Sequence, residues 1–169
     1  MHNLISAVMM LAACALIGNA KATSLLEHLR TLEAIKADMT SIKLEMRYSA
    51  DTLPRMLPRM SGLKLKRLWT IVADKVSDTP TNELWEIIAA DRSSALDIAR
   101  MTDDDIAPLK SFIYDLGSSD ISTQEKKIEL SIAKAEEVLA ARKKEITSKA
   151  KVIRTLGLLA GVAGAIIML

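Results

Sequence analysis

The sequence predicts an all-α protein: a membrane-anchored helical bundle in which two long antiparallel arms continue into N- and C-terminal membrane helices, with short helices between them. Three observations predict it. All 23 Lys and Arg and all 21 Asp and Glu fall between Lys21 and Arg154, so both ends of the 169-residue chain are uncharged. All four prolines (Pro54, Pro58, Pro80 and Pro108) lie in the centre, which leaves the first 53 and the last 61 residues free to run as unbroken helices. Apolar residues of those outer stretches recur at gaps of three and four, while aromatic residues make up only 3% and β-branched alternation is scarce.

Residues 1–22 form the first element, an N-terminal membrane helix. From Leu4 to Ala20 only Ser6 and Asn19 interrupt the apolar run, which spans about 25 Å as a helix, slightly short of a ~30 Å hydrocarbon core. Met1-His2-Asn3 lacks the basic stretch of a good signal peptide. Leu11-Ala12-Ala13-Cys14 matches a bacterial lipoprotein processing pattern, so an anchor on Cys14 is the second reading of this end. A lone cysteine cannot form an internal disulfide or a multi-ligand zinc site.

Residues 23–154 form a helical bundle, large enough for one compact domain and too small for two. Its first arm carries Leu25, Leu29, Leu32, Ile35, Met39, Ile42 and Met46, and its last arm Ile128, Ile132, Ala135, Leu139, Ile146, Ala150 and Ile153. Both stripes have the near-3.5 period of helices packed side by side. Because the two ends would cross one bilayer in opposite senses, the arms are expected to lie antiparallel. The broken centre predicts short helices over Leu53–Met60, Leu63–Val76, Glu83–Arg92 or a little beyond, and Asp103–Leu116. Asp51 or Thr52, Thr81 or Asn82, and Thr102 are placed to cap their starts, and Gly62 and Gly117 to end them. Gly117-Ser118-Ser119-Asp120 reads as the turn into the last arm. The doubled Leu53-Pro54-Arg55-Met56 and Leu57-Pro58-Arg59-Met60 reads either as a proline-stiffened docking segment or as a short helix kinked at its second proline.

Residues 155–169 close the chain as a C-terminal membrane helix. At about 21–23 Å it crosses only with local thinning or with snorkelling of Arg154. Gly157 and Gly161 are four apart and share a helix face that admits close approach of a neighbour, for which residues 4–20 are the nearest candidate.

The charged middle argues against chemistry. His2 and His28 are the two histidines, and neither has a ligand-spaced partner. No phosphate-cradling glycine loop is present, and Asp103-Asp104-Asp105 behind Thr102 fits first-turn acids favoured by the helix dipole better than a cation site. The sequence therefore predicts no enzyme activity, no cofactor, no metal and no small-molecule substrate. A net charge of +2 is too small to imply nucleic acid. On the last arm Glu125, Glu129, Glu136 and Glu137 alternate with Lys126, Lys127 and Lys134, a self-pairing face. Nearer the C-terminus Arg142, Lys143, Lys144, Lys149, Lys151 and Arg154 meet only Glu145, and Lys21 and Arg30 add to the same side. Such a cationic collar suits anionic lipid and places the bundle on the cytoplasmic side.

Several segments together resemble the stage III sporulation protein AB family: Arg154-x-Leu156-Gly157-x-Leu159-x-Gly161, Leu109-x-x-Phe112-x-x-x-Leu116-Gly117-x-x-Asp120 followed by Gln124-x-Lys126-x-Ile128, Glu45-Met46-x-Tyr48, and Trp85-Glu86. The doubled Leu-Pro-Arg-Met departs from the Thr-Pro-Leu opening usual in that family. The resemblance implies a membrane protein of endospore-forming bacteria, held in the mother-cell-derived membrane around the forespore. It also implies similarity to the helical cytoplasmic domain of the type II secretion F platform protein, and a place in the mother cell–forespore channel beside a separate ATPase, the stage III sporulation protein AA.

The resulting expectation is a non-enzymatic platform whose domain faces the mother-cell cytoplasm and couples that ATPase to a membrane complex. Arg55, Arg59, Trp69 and Trp85 are its candidate partner contacts, since Arg and Trp are enriched at binding hot spots; core packing is the competing reading for both tryptophans. The alternative is a self-assembling, membrane-anchored scaffold without a motor partner, in which arms exchange between chains of a homo-oligomer.

Overall fold

A computed structural model of the protein describes residues 2–49, 51–60, 62–91, 101–116 and 121–168. Helices follow in the order α1 (His2–Tyr48), α2 (Leu53–Arg59), α3 (Lys66–Lys75), α4 (Thr81–Ala90), α5 (Asp103–Asp115) and α6 (Ile121–Met168), with no strand among the described residues. The all-α prediction holds, with long helices at both ends and short ones between. Packing divides the chain into two compact units, one formed by Met1–Arg30 with Ala141–Leu169 and the other by Thr31–Ala140. The terminal unit thus takes in charged helical turns as well as the uncharged ends.

In the Thr31–Ala140 unit, the buried stripe of α1 contributes Leu32, Ile35, Met39 and Ile42, and that of α6 contributes Ile128 and Ala135. Lys36 Nζ meets Glu136 at 2.8 Å, and Lys43 pairs with Glu129. Moving seven residues forward on α1 therefore moves seven back on α6, so within this unit the helices run antiparallel in a heptad register. The charges sit on the rim of the contact, where ion pairs fix register more than they stabilise.

The short helices close over this pair, with α2 packed on α3, α3 on α4 and α4 on α5. Trp69 and Phe112 meet edge to face, ring centroids 5.9 Å apart and planes at 75°, the arrangement that aromatic quadrupoles favour. Leu57, Val72, Leu84, Ile88, Leu109 and Ile113 fill the space around them.

The doubled Leu-Pro-Arg-Met is the short helix α2. A period of four puts the apolar members on one side: Met56 and Leu57 are buried, Leu53 and Met60 half-buried, and Arg55 and Arg59 exposed. Pro54 occupies the first turn, where its missing N–H is harmless, whereas Pro58 removes an interior donor and the helix stops one residue later at Arg59. Gly62 was expected to provide the stop, but no glycine among the described residues has positive φ; the second proline does that work.

α3 begins at Lys66 rather than at Leu63, because the preceding turn is held by a remote side chain. The carboxylate of Asp38 on α1 accepts the backbone N–H groups of Lys64 and Leu65, each at 2.8 Å. At α4 the cap is Pro80 instead of Thr81 or Asn82: its carbonyl accepts the N–H of Glu83 at 2.9 Å, and its ring presets an extended entry. Thr102 starts α5 as expected. Buried Asp105 accepts the Thr102 backbone N–H at 3.2 Å and hydroxyl at 2.8 Å, and the exposed Asp103 and Asp104 complete an acidic first turn. Gln124 Nε2 donates to the Leu116 carbonyl at 2.7 Å, tying the end of α5 to the start of α6. The expected turn at Gly117–Asp120 and the extension of the α4 segment to Arg92 lie outside the described residues.

Candidate functional site

In the terminal unit, the contact between α1 and α6 is backbone on backbone. A Cβ built on Gly157 would lie 3.0 Å from the Gly18 Cα and 3.1 Å from the Cys14 carbonyl oxygen. One on Gly161 would lie 3.1 Å from the Leu11 carbonyl oxygen, and one on Gly164 3.2 Å from the Met10 side chain. As the α6 number rises its partner's falls, so the two segments run antiparallel here too. Gly157 and Gly161, marked by their spacing, face Leu11, Cys14 and Gly18; Gly18, their counterpart, has no glycine at helical spacing to mark it, and its one signal is that it is the only glycine before Gly62.

Large apolar side chains point the other way. Val8, Met9, Leu16, Ile17, Leu156, Leu159 and Ile166 are all exposed, the reverse of a water-soluble helix pair. By length and composition, α1 and α6 are each apolar enough to cross a membrane, and little of either apolar window is buried within the protein.

Charge begins where those segments end. Lys21, Lys144, Lys149, Lys151 and Arg154 are exposed. Glu145 is clasped by Lys149 Nζ at 2.6 Å and Arg142 Nη1 at 3.2 Å, and these hydrogen bonds, Lys149's first, lower its pKa below the usual 4.5. His28 is half-buried on α1.

In the Thr31–Ala140 unit, the expected partner contacts separate. Arg55 is exposed, Arg59 is exposed and paired with Asp51 Oδ2 at 3.0 Å, and Trp85 is half-buried against the core. Trp69 is 1% exposed, and its Nε1 donates to Asp38 Oδ2 at 2.9 Å. Its ring is therefore a core residue and presents nothing to a partner. The sequence signal for Asp38 is its position three residues after Ile35 and four before Ile42, a charged residue within the apolar stripe. Among the described residues no group of three or more His, Cys, Asp or Glu is placed to hold a metal ion. A shallow groove of about 200 Å³ lies between Lys43, Met46 and Arg47 on α1 and Gln124, Glu125 and Ile128 on α6.

The family described as stage III sporulation protein AB matches residues 3–169. The chain belongs to this family. No curated protein and no solved structure matches it. In this stage III sporulation protein AB family member, the segments that carried the resemblance divide by role. Leu109, Phe112, Leu116 and Ile128 are core, Gln124 fastens α5 to α6, and Gly157 and Gly161 make the helix contact, whereas Glu45 and Tyr48 are exposed. The family is one of sporulation proteins and is not a known enzyme family.

Proposed function

We propose that this chain is a non-enzymatic membrane platform of the mother cell–forespore channel. Its glycine-packed ends cross the mother-cell-derived membrane around the forespore, and its helical domain faces the mother-cell cytoplasm. There it couples the stage III sporulation protein AA ATPase to the other channel proteins. The observation that supports this reading most directly is the inverted polarity of the terminal unit, with glycine backbones facing each other and apolar side chains facing out. Membership in the sporulation family supports the setting. Arg55, Arg59 and Trp85 are the proposed contacts with the ATPase or its neighbours.

The test is gentle purification of the full-length chain from membranes of sporulating cells. The ATPase is expected to come with it, and the doubly substituted R55E/R59E chain is expected to bring less while remaining in the membrane. A membrane-bound chain that brings no ATPase overturns the coupling role.

A further inference from the structure

Two exposed helix faces in the Thr31–Ala140 unit carry charge that the chain does not neutralise by itself. On α3, Lys66, Arg67, Thr70 and Asp74 are exposed, and on α5, Asp103, Asp104, Ala107, Lys110 and Tyr114. At 100° per residue each set falls within about 120° of arc, so each forms one face. Arg67 reaches Asp91 only at 3.9 Å, and among the described residues Lys66, Asp74, Asp103, Asp104 and Lys110 make no ion pair. The signs on α3 also oppose its own dipole. Two cations stand in its first turn and Asp74 in its last, where only Lys75 has the favourable sign, so helix stability does not account for them.

The two faces match each other. From Arg67 to Asp74 is seven residues, positive to negative, and from Asp103 to Lys110 is also seven, negative to positive. Laid side by side in the same direction, the faces set Arg67 against Asp103 and Asp74 against Lys110, about 10.5 Å apart along the axis. The helical rotation puts both pairs on one flank of the contact and brings Lys66 to Asp104 across the other. In the opposite direction like charges meet, which is costly. Small residues, Thr70 and Ala107, lie between the charged rungs, and the Thr70 hydroxyl donates to the Lys66 carbonyl at 2.9 Å, so it needs no outside acceptor. Within one molecule the two outer faces cannot meet, because α3 and α5 already touch on their inner sides through Trp69 and Phe112.

We infer that the outer face of α3 docks on the outer face of α5 of a second copy of this chain, the two helices running in the same direction. A second copy is the occupant because it carries the complementary charges at the matching spacing. Tyr114, 55% exposed and about one turn beyond Lys110, extends the contact over the end of the neighbour's α3. The surfaces differ, so a pair still offers one free face of each kind, and the contact builds a ring if its rotation closes and an open row if it does not. No arm is exchanged, and neither the membrane anchor nor the ATPase takes part. Three turns of helix make a small interface, weak and sensitive to salt.

The experiment traps the contact by oxidation of full-length chains in mild detergent, all carrying C14A. Chains with T70C are mixed with chains of a different tag size carrying A107C. The mixed disulfide dimer is expected to exceed either homodimer about fivefold at low salt, the effect of a few exposed ion pairs, and to decline as salt rises. Adding K66E/R67E to the T70C chain should remove that excess, and adding D103K/D104K to the A107C chain as well should restore it. Far-UV circular dichroism of each variant checks that the helices are kept. Homodimers equal to or above the mixed product, no disulfide product at all, or folded charge-reversed chains that do not regain the excess overturn the contact. The mixed T70C and A107C comparison decides the matter even where a charge-reversed chain fails to fold.

Discussion

The carboxylate of Asp38 accepts the indole N–H of Trp69 at 2.9 Å, both side chains lying in the core with 1% exposure. The same carboxylate holds the backbone N–H groups of Lys64 and Leu65, so one side chain on α1 fixes the start of α3 and the rotamer of its tryptophan. A buried carboxylate is tolerated where several donors surround it, and removing it strands each of them.

Asp38→Ala is accordingly expected to destabilise the full-length chain by about 3 kcal/mol or more, because it leaves two backbone donors and an indole N–H without a partner. Asp38→Asn keeps an acceptor oxygen and should cost less. Trp69→Phe removes one donor, at about 1–2 kcal/mol. Denaturant unfolding followed by far-UV circular dichroism checks the order, and equal stability of Asp38→Ala and the parent chain would exclude the network as a support.

Phe112→Ala is expected to cost about 3–5 kcal/mol, since it opens a cavity beside Trp69 and removes the edge-to-face contact. Near-UV circular dichroism should lose intensity at the tryptophan wavelengths. Phe112→Leu should lose less stability but the same aromatic signal.

Glycine substitutions should rank by what the new Cβ meets. At Gly157 it meets backbone at 3.0 Å, which cannot rotate away, whereas at Gly164 it meets the Met10 side chain and at Gly62 nothing within 4 Å. Gly157→Ala is therefore expected to weaken the helix contact by about 1–3 kcal/mol, with Gly164→Ala milder and Gly62→Ala close to neutral. Thermal unfolding of the three variants in detergent tests this order.

The hydrogen bond and charge of Lys43 lower the Glu129 carboxyl below its usual 4.5. With a depressed folded-state pKa, the pair's contribution is present above the unfolded value and disappears as pH falls through the lower folded one. Carboxyl carbon shifts followed by NMR should show Glu129 titrating below 4.5, and Lys43→Met should move the midpoint upward. A midpoint unmoved by Lys43→Met contradicts the pairing.

Cysteines placed at Leu32 and Leu139 lie about one turn beyond the Lys36–Glu136 pair on their respective helices. Oxidation is expected to give mainly intrachain product. Dominant interchain product would favour exchange of arms between chains and a scaffold in place of a monomeric bundle.

The sequence by itself determined the helices and their inward faces. Every member of the two arm stripes, from Leu25 to Met46 and from Ile128 to Ile153, is buried or half-buried, because helical periodicity is a local property that the chain displays one turn at a time. Charge sorting likewise marked the ends, and spacing marked Gly157 and Gly161. Only the tertiary structure decided that Asp38 caps a turn 26 residues away, that Trp69 belongs to the core, and that Gly18 is the surface on which Gly157 rests. Each depends on which group arrives from a distant part of the chain to satisfy a donor or fill a space, and a one-dimensional pattern carries no record of that arrival.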